Sequence, residues 1–180
     1  AFHVFKGIEA DILPDGSLDY EDEILSTFDF VIAAVHSHFQ MSGEEMTERI
    51  CRALANPFTT ILAHPTGRLL LAREPYAVDI LRVIETAAAY GKVIELNANP
   101  LRLDLDWRHC LIAKRKGVKI AINPDLHHLD GFEHLEHGLG ALWRQGAGGS
   151  DDFSQPAVPP GIIIGEDFLP FFCQPDGDCA

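Results

Sequence analysis

TILAHPTGR, residues 60–68, decides how this chain is read. An apolar, β-branched run stops abruptly at His64, and a proline, a threonine, a glycine and an arginine follow. The run has the length and composition of a buried strand, and its polar ending places an imidazole at the strand's carboxyl end. The same pattern recurs on both sides. FHVFKGIEADI (2–12) and DFVIAAVHS (29–37) read as strands before it, and KVIELNA (92–98) and KIAIN (119–123) as strands after it. Helical periodicities lie between them: a short stretch YEDEILSTF (20–28), then GEEMTERICRALA (43–55), which Asn56 and Pro57 stop. YAVDILRVIETAAAYG (76–91) puts Val78, Leu81, Ile84 and Ala88 on one face and ends at a glycine. WRHCLIAKRKG (107–117) and a last pattern over residues 132–142 complete the series. Strand–helix units at this spacing predict an α/β fold with a parallel sheet covered by helices.

Composition sets the outer limits. With 180 residues, 47% hydrophobic and 23% charged, the chain has enough apolar mass for one buried core. No apolar run approaches the ~20 residues of a membrane-spanning helix. The start AFHVFKGIEAD has no basic region ahead of an apolar stretch, so the expected setting is cytoplasmic, with no membrane partner. Cys51, Cys110, Cys173 and Cys179 form no C-x-x-C pair, which argues against a disulfide or zinc–thiolate scaffold. A formal net charge of -13 is the wrong sign for a surface that grips nucleic acid unaided. Bound cations would reverse that sign locally.

In parallel α/β folds the loops at the carboxyl ends of the strands converge on one open face, where catalytic groups collect. Here the residues at those ends are Glu9 and Asp11, His36, His64, Asn97, and Asp125 with His127. One such histidine is weak support for a site. Five consecutive strands delivering polar side chains to one rim point to a shared one. Carboxylates mixed with imidazoles, without thiolates, suit zinc, manganese or iron.

The runs KGIEADILPDGSLDY, VIAAVHS, AHPTGRLLLAREPY, ELNANPLRLDLDW and INPDLHHLDGFEHL resemble the C-terminal part of the polymerase and histidinol phosphatase (PHP) domain, in the version fused to bacterial family X DNA polymerases. The resemblance implies a distorted seven-stranded (β/α) barrel, of which about five strand–helix units are present. It also implies a cluster of up to three divalent ions, manganese or zinc with iron also compatible. The implied activity is metal-dependent phosphoester hydrolysis, a 3'-5' exonuclease acting on DNA 3' ends in repair. Carried over by position, Glu9 is the carboxylate bridging two metals, and His36 and His64 complete one metal position with it. Asp125 and His127 each contribute to one of the other two. These five are the catalytic and metal-ligating candidates. The family opens with a His-x-His strand upstream of the bridging glutamate, and His3 is too close to serve. The chain is therefore expected to be a fragment whose partners include absent upstream PHP and polymerase segments.

The chemistry explains the residue types. A phosphodiester repels hydroxide, so hydrolysis needs a cation that neutralises charge and lowers the pKa of water from ~15.7 to ~7. Thr66, Gly67 and Arg68 beyond His64 offer backbone amides and a guanidinium to a phosphate oxygen. Arg102 reads either as a phosphate contact or as a partner of Asp104 or Asp106. Plainer readings stand beside the others: Glu9 paired with Lys6 or Arg68, Asp125 capping a turn, Asn97 ordering its loop, and Glu44, Glu45 and Glu48 as a solvated helix start. His134 and His137 share a helix face at i, i+3, and a solvated face is the commoner reason for that spacing.

Residues 1–145 are expected to form the PHP-like domain. From Gly146 onward the chain has six acids, no bases and five prolines, and reads as a divergent tail in which GIII and FLPFF are apolar enough to pack. Two alternatives accompany the nuclease reading: a non-catalytic remnant serving as a structural or interaction module, and a histidinol-phosphate-type phosphatase.

Overall fold

The computed structural model describes residues 4–143 and 162–164. Six strands form one parallel sheet in the order β1 (Gly7–Asp11), β2 (Phe30–Ala34), β3 (Thr59–Leu62), β4 (Val93–Asn97), β5 (Ile120–Asn123) and β6 (Ile162–Ile164). Each strand pairs with the next in sequence, so the order never reverses. That progression is the wall of a (β/α) barrel, whereas a doubly wound sheet reverses at a switch point. The connections carry α1 (Asp22–Leu25), α2 (Gly43–Ala55), α3 (Ile80–Tyr90), α4 (Trp107–Arg115) and α5 (Leu135–Trp143), the last entered through a 3-10 segment, Leu129–His134.

Strand alternation sorts the side chains onto two faces. Ala10, Val31, Ala33, Leu62, Ile94, Leu96, Ile120 and Ile122 pack outward against Met46, Ile50, Leu54, Val83, Ile84 and Ala87 of the helices in one core. Removing such a side chain, as in Ile84→Ala, costs roughly 2–5 kcal/mol because the cavity only partly collapses. The opposite face holds a smaller apolar cluster of Ile61, Val93 and Ala121 with Ile32. Glu9, Glu95, Asn97 and Asn123 fall on that inner face by register: Glu9 pairs with Ile32, Glu95 with Ala121, and Asn97 with Asn123.

Two helices differ from expectation in instructive ways. α3 begins at Ile80, four residues after the expected Tyr76, because the Asp79 side chain accepts from the Leu81 and Arg82 amides and sets the start. Tyr76 belongs to the preceding loop, its hydroxyl donating to the Pro65 carbonyl. The cap also sets the phase, so Ile80, Val83, Ile84 and Ala87 are buried and Leu81 is exposed. α2 opens with a capping box between Ser42 and Glu45, while Glu44 and Glu48 pair with Arg82 of α3. The acids expected to be merely solvated thus cap one helix and tie it to the next.

β6 comes from the GIII run, which continues the sheet beside β5 with Ile162 opposite Ile120. FLPFF and most of the acidic segment lie outside the described residues. Among the described residues no helix is long and apolar enough to cross a membrane, and Cys51 and Cys110 are free thiols.

Candidate metal centre

β1, β2 and β3 are neighbours, and their carboxyl ends bring Glu9, His36 and His64 together. His36 Nε2 lies 3.1 Å from Glu9 Oε1 and His64 Nε2 lies 3.6 Å from the same oxygen. The two imidazole rings are 5.2 Å apart between centroids. One ligand atom from each residue falls within 4.8 Å of the other two, the one such group among the described residues. Tetrahedral bonds of about 2.0–2.2 Å place neighbouring donors roughly 3.3–3.6 Å apart. The two nitrogen–oxygen separations bracket that spacing, and two imidazoles with a carboxylate are a donor set that suits a divalent cation.

The field at this point favours positive charge. Hydrogen bonding from His36, then from His64, holds Glu9 well below the usual carboxylate range despite partial burial. The same Glu9 contact, helped by Asp11, pushes His36 up to about 9. Asp11 Oδ1 sits 2.5 Å from His36 Nδ1, turning Nε2 towards Glu9. A carboxylate behind a histidine fixes its tautomer and raises its basicity as a ligand.

The loops that carry these residues are braced from within. Arg49 of α2 is 1% exposed, and its guanidinium donates to the carbonyls of Ile12 and Leu13 after β1 and of Ser37 beside His36. His64 adopts φ 28°, a left-handed conformation that a β-branched or bulky residue avoids. Its amide donates to Glu95 Oε2 at 2.7 Å, and its carbonyl accepts from Gly67. Gly67 itself has φ 61°, and a Cβ there would stand 2.5 Å from the Tyr76 ring, so this turn requires glycine.

The HPTGR turn uses its own donors. The Thr66 amide donates to Asp104 Oδ2 at 3.0 Å, with Asp104 fully buried. Arg68 donates to the Arg102 and Leu103 carbonyls and lies 3.6 Å from Asp106. The amides and guanidinium expected to face a phosphate instead fasten the turn to the 99–106 loop. Arg102 is placed differently: its Nε lies 3.6 Å from Asp125 Oδ2, and its Nη1 is buried with no hydrogen-bond partner in the described structure. The pairings expected for Arg102 with Asp104 or Asp106 are not made; Arg68 reaches Asp106. Lys6 pairs with neither Glu9 nor any other site group, donating through Nζ to the Thr27 carbonyl.

Asp125 and His127 stand apart from the cluster. They line the same cavity as Glu9, His64 and Glu95, about 570 Å³ in volume, with Phe30, Ile32 and Ile61 as its apolar floor. Asp125 has φ 52° and accepts from Asn97 Nδ2 at 3.2 Å. His127 is 76% exposed and its Nδ1 lies 2.8 Å from the Asp125 carbonyl oxygen, so the ring is turned to its own loop. Asn97 also accepts from the Asn99 amide, ordering the loop as expected. His134 and His137 have ring centroids 6.2 Å apart, and no third ligand joins them among the described residues.

No family model matches the chain. It is 44% identical over 140 residues to the DNA polymerase/3'-5' exonuclease PolX of Bacillus subtilis, a match covering 78% of this chain and 25% of that relative. The chain carries a PHP-type domain of the PolX kind. It is also 33% identical over 134 residues to a probable phosphatase of Caldanaerobacter subterraneus, and 36% identical over 134 residues to one of Thermoanaerobacter sp.. Those matches cover 69% of this chain and 50% and 52% of the relatives. The chain thus spans between a quarter and about half the length of these curated relatives.

Several groups around this PHP-type centre escaped reading from sequence. Glu95 is buried on β4, pushed up to about 7 by desolvation, and accepts from His64, Asn123 and Asn97. The signal was a lone acid inside the apolar strand KVIELNA, since a buried carboxylate must find donors. Asp11 was visible at a strand end, but its role behind His36 was not. Nothing in the helix GEEMTERICRALA marks Arg49 as the residue that reaches back to two loops.

Proposed function

We propose that this chain is the metal-binding portion of a cytoplasmic phosphoesterase that hydrolyses phosphodiesters at DNA 3' ends. The observation that carries the reading is the convergence of Glu9 Oε1, His36 Nε2 and His64 Nε2 at the carboxyl ends of three adjacent strands. The PolX and phosphatase relatives support the phosphoesterase class, and the exonuclease named for PolX supports the substrate. Residues 1–145 carry this chemistry in our reading, with the strand Ile162–Ile164 added from the acidic segment.

Glu9, His36 and His64 would hold one divalent cation, manganese or zinc. Asp125 and His127, across the cavity, are assigned to further positions of the cluster. When bound, a cation supplies neutralisation of phosphate charge and lowers the pKa of water from about 15.7 towards 7. Asp11 keeps the His36 ring presented, and Glu95 keeps the His64 backbone in place. Arg102, whose Nε lies 3.6 Å from Asp125 Oδ2, is assigned to phosphate binding. Arg68 and Thr66 serve phosphate binding indirectly, by fastening the turn that carries His64.

The test is calorimetric titration of the chain with Mn2+ and Zn2+, followed by assays on a 5'-labelled oligonucleotide and on p-nitrophenyl phosphate. The expected result is saturable binding lost in His36→Ala and His64→Ala, with shortening of the oligonucleotide from its 3' end by the chain extended upstream. Binding that survives both substitutions would remove the metal-site reading. Hydrolysis of the small ester without any cleavage of the oligonucleotide would leave a phosphatase and reject the nuclease.

A further inference from the structure

Glu95 and Asn97 are buried polar residues, 4% and 0% exposed, that the chemistry above does not require as ligands. They lie on β4, between the strand end that carries His64 and the one that precedes Asp125. Glu95 Oε2 accepts from the His64 amide at 2.7 Å and from Asn97 Nδ2 at 3.4 Å. The same Asn97 nitrogen donates to Asp125 Oδ2 at 3.2 Å. Glu95 Oε1 accepts from Asn123 Nδ2 at 3.1 Å, which anchors the carboxylate to β5. An unbroken line of hydrogen bonds therefore joins the backbone of one candidate ligand to the side chain of another.

Both ends of that line are residues in left-handed backbone, His64 at φ 28° and Asp125 at φ 52°. Non-glycine residues persist there only where the surroundings hold them. The hydrogen bonds from β4 are the holding contacts on the inner face. A carboxylate with three donors and an amide with two acceptors have little freedom to reorient inside a buried strand.

We propose that Glu95 and Asn97 are positioning residues that couple the cation position at Glu9, His36 and His64 to the Asp125 side of the cavity. The inference rests on the metal-site reading given above and adds to it a defined path of coupling. Outer partners of metal ligands typically change affinity by 10–100-fold when removed.

Co2+ binding to the full chain, followed by calorimetry and by the visible spectrum of the bound ion, tests this, with thermal unfolding as a control. Glu95→Gln is expected to weaken Co2+ binding about tenfold and to shift its visible bands. Asn97→Ser leaves the hydrogen bond between Glu95 and the His64 amide in place and removes the side-chain link to Asp125. In a double-mutant cycle, Asp125→Asn should alter Co2+ affinity in the wild-type background and have no effect in the Asn97→Ser background. Equal effects of Asp125→Asn in both backgrounds would overturn the coupling, and the Asn97→Ser arm decides this even where Glu95→Gln fails to fold. A wild-type chain that binds no Co2+ would overturn the metal-site reading itself and this inference with it. Wild-type binding with an unchanged affinity and spectrum in Glu95→Gln would overturn only the inference.

Discussion

The two halves of the site are built by different means. Glu9, His36 and His64 come from β1 and from the residues just after β2 and β3, three neighbouring strands, and their ligand atoms fall within 4.8 Å of one another. Asp125 and His127 follow β5, two strands beyond β3, and share a cavity with the cluster without joining it. Neighbouring parallel strands lie about 4.8 Å apart, so side chains from adjacent strand ends meet directly, while those two strands apart need intermediaries. Glu95 and Asn97 on β4 fill that gap. Adjacency therefore assembles the Glu9, His36 and His64 cluster, and a buried hydrogen-bond network links Asp125 to it.

The largest expected effect falls on the adjacent-strand half. Glu9→Gln removes the charge that both imidazoles face, and cation binding by calorimetry should drop by about 100-fold or more, beyond what outer partners usually contribute. Equal affinity in Glu9→Gln and wild type would erase the contrast between the halves. Arg49→Ala attacks the brace of the same half. It removes the guanidinium from the carbonyls of Ile12 and Ser37 and leaves Leu13 with the Gly16 amide alone, and urea unfolding should show a loss of roughly 3 kcal/mol or more. A loss under 1 kcal/mol would mean that water replaces the guanidinium freely. Asp11→Asn exchanges the carboxylate behind His36 for an amide, and should weaken cation binding about tenfold with little change in unfolding.

A pH effect sharpens the comparison further. His36 is raised from its usual 6.5 to about 9, so without metal its contribution to stability is full below 6.5 and lost as pH rises through 9. Glu9 is lowered, so its contribution is present above its usual 4.5 and lost on acidification. The metal-free protein should be most stable between these limits, and thermal melts of His36→Asn should show a flatter profile from pH 6.5 to 9. A cation competes with the His36 proton, so its binding should strengthen over that same alkaline range and release protons. The smallest effect belongs to the other half: His127→Ala, with an exposed ring turned to its own loop, should leave cation affinity at the Glu9, His36 and His64 cluster unchanged.

Much of this was legible in sequence, and the limits have physical reasons. Strand ends were readable because each apolar run stops at a polar residue, which is how Glu9, His36 and His64 were found together. The beginning of α3 was misread because periodicity alone is blind to Asp79, whose side chain caps the helix and sets which residues face the core. The loop contacts of Arg68 and Thr66 are not legible in sequence, because donor groups near a ligand look alike whether they serve a phosphate or the carbonyls and carboxylate of an adjacent loop. Glu95 was passed over inside an apolar strand, where its partners on β3 and β5 are distant in sequence. GIII was apolar enough to pack, and its partner, β5, lies 42 positions away by register, Ile120 against Ile162.

Anomalous diffraction from crystals of the chain grown with Zn2+ or Mn2+ examines the central point directly. The expected result is a peak within about 2.0–2.2 Å of Glu9 Oε1, His36 Nε2 and His64 Nε2. A loaded crystal with no density between those three atoms, or with the ion held only by other side chains, would contradict it.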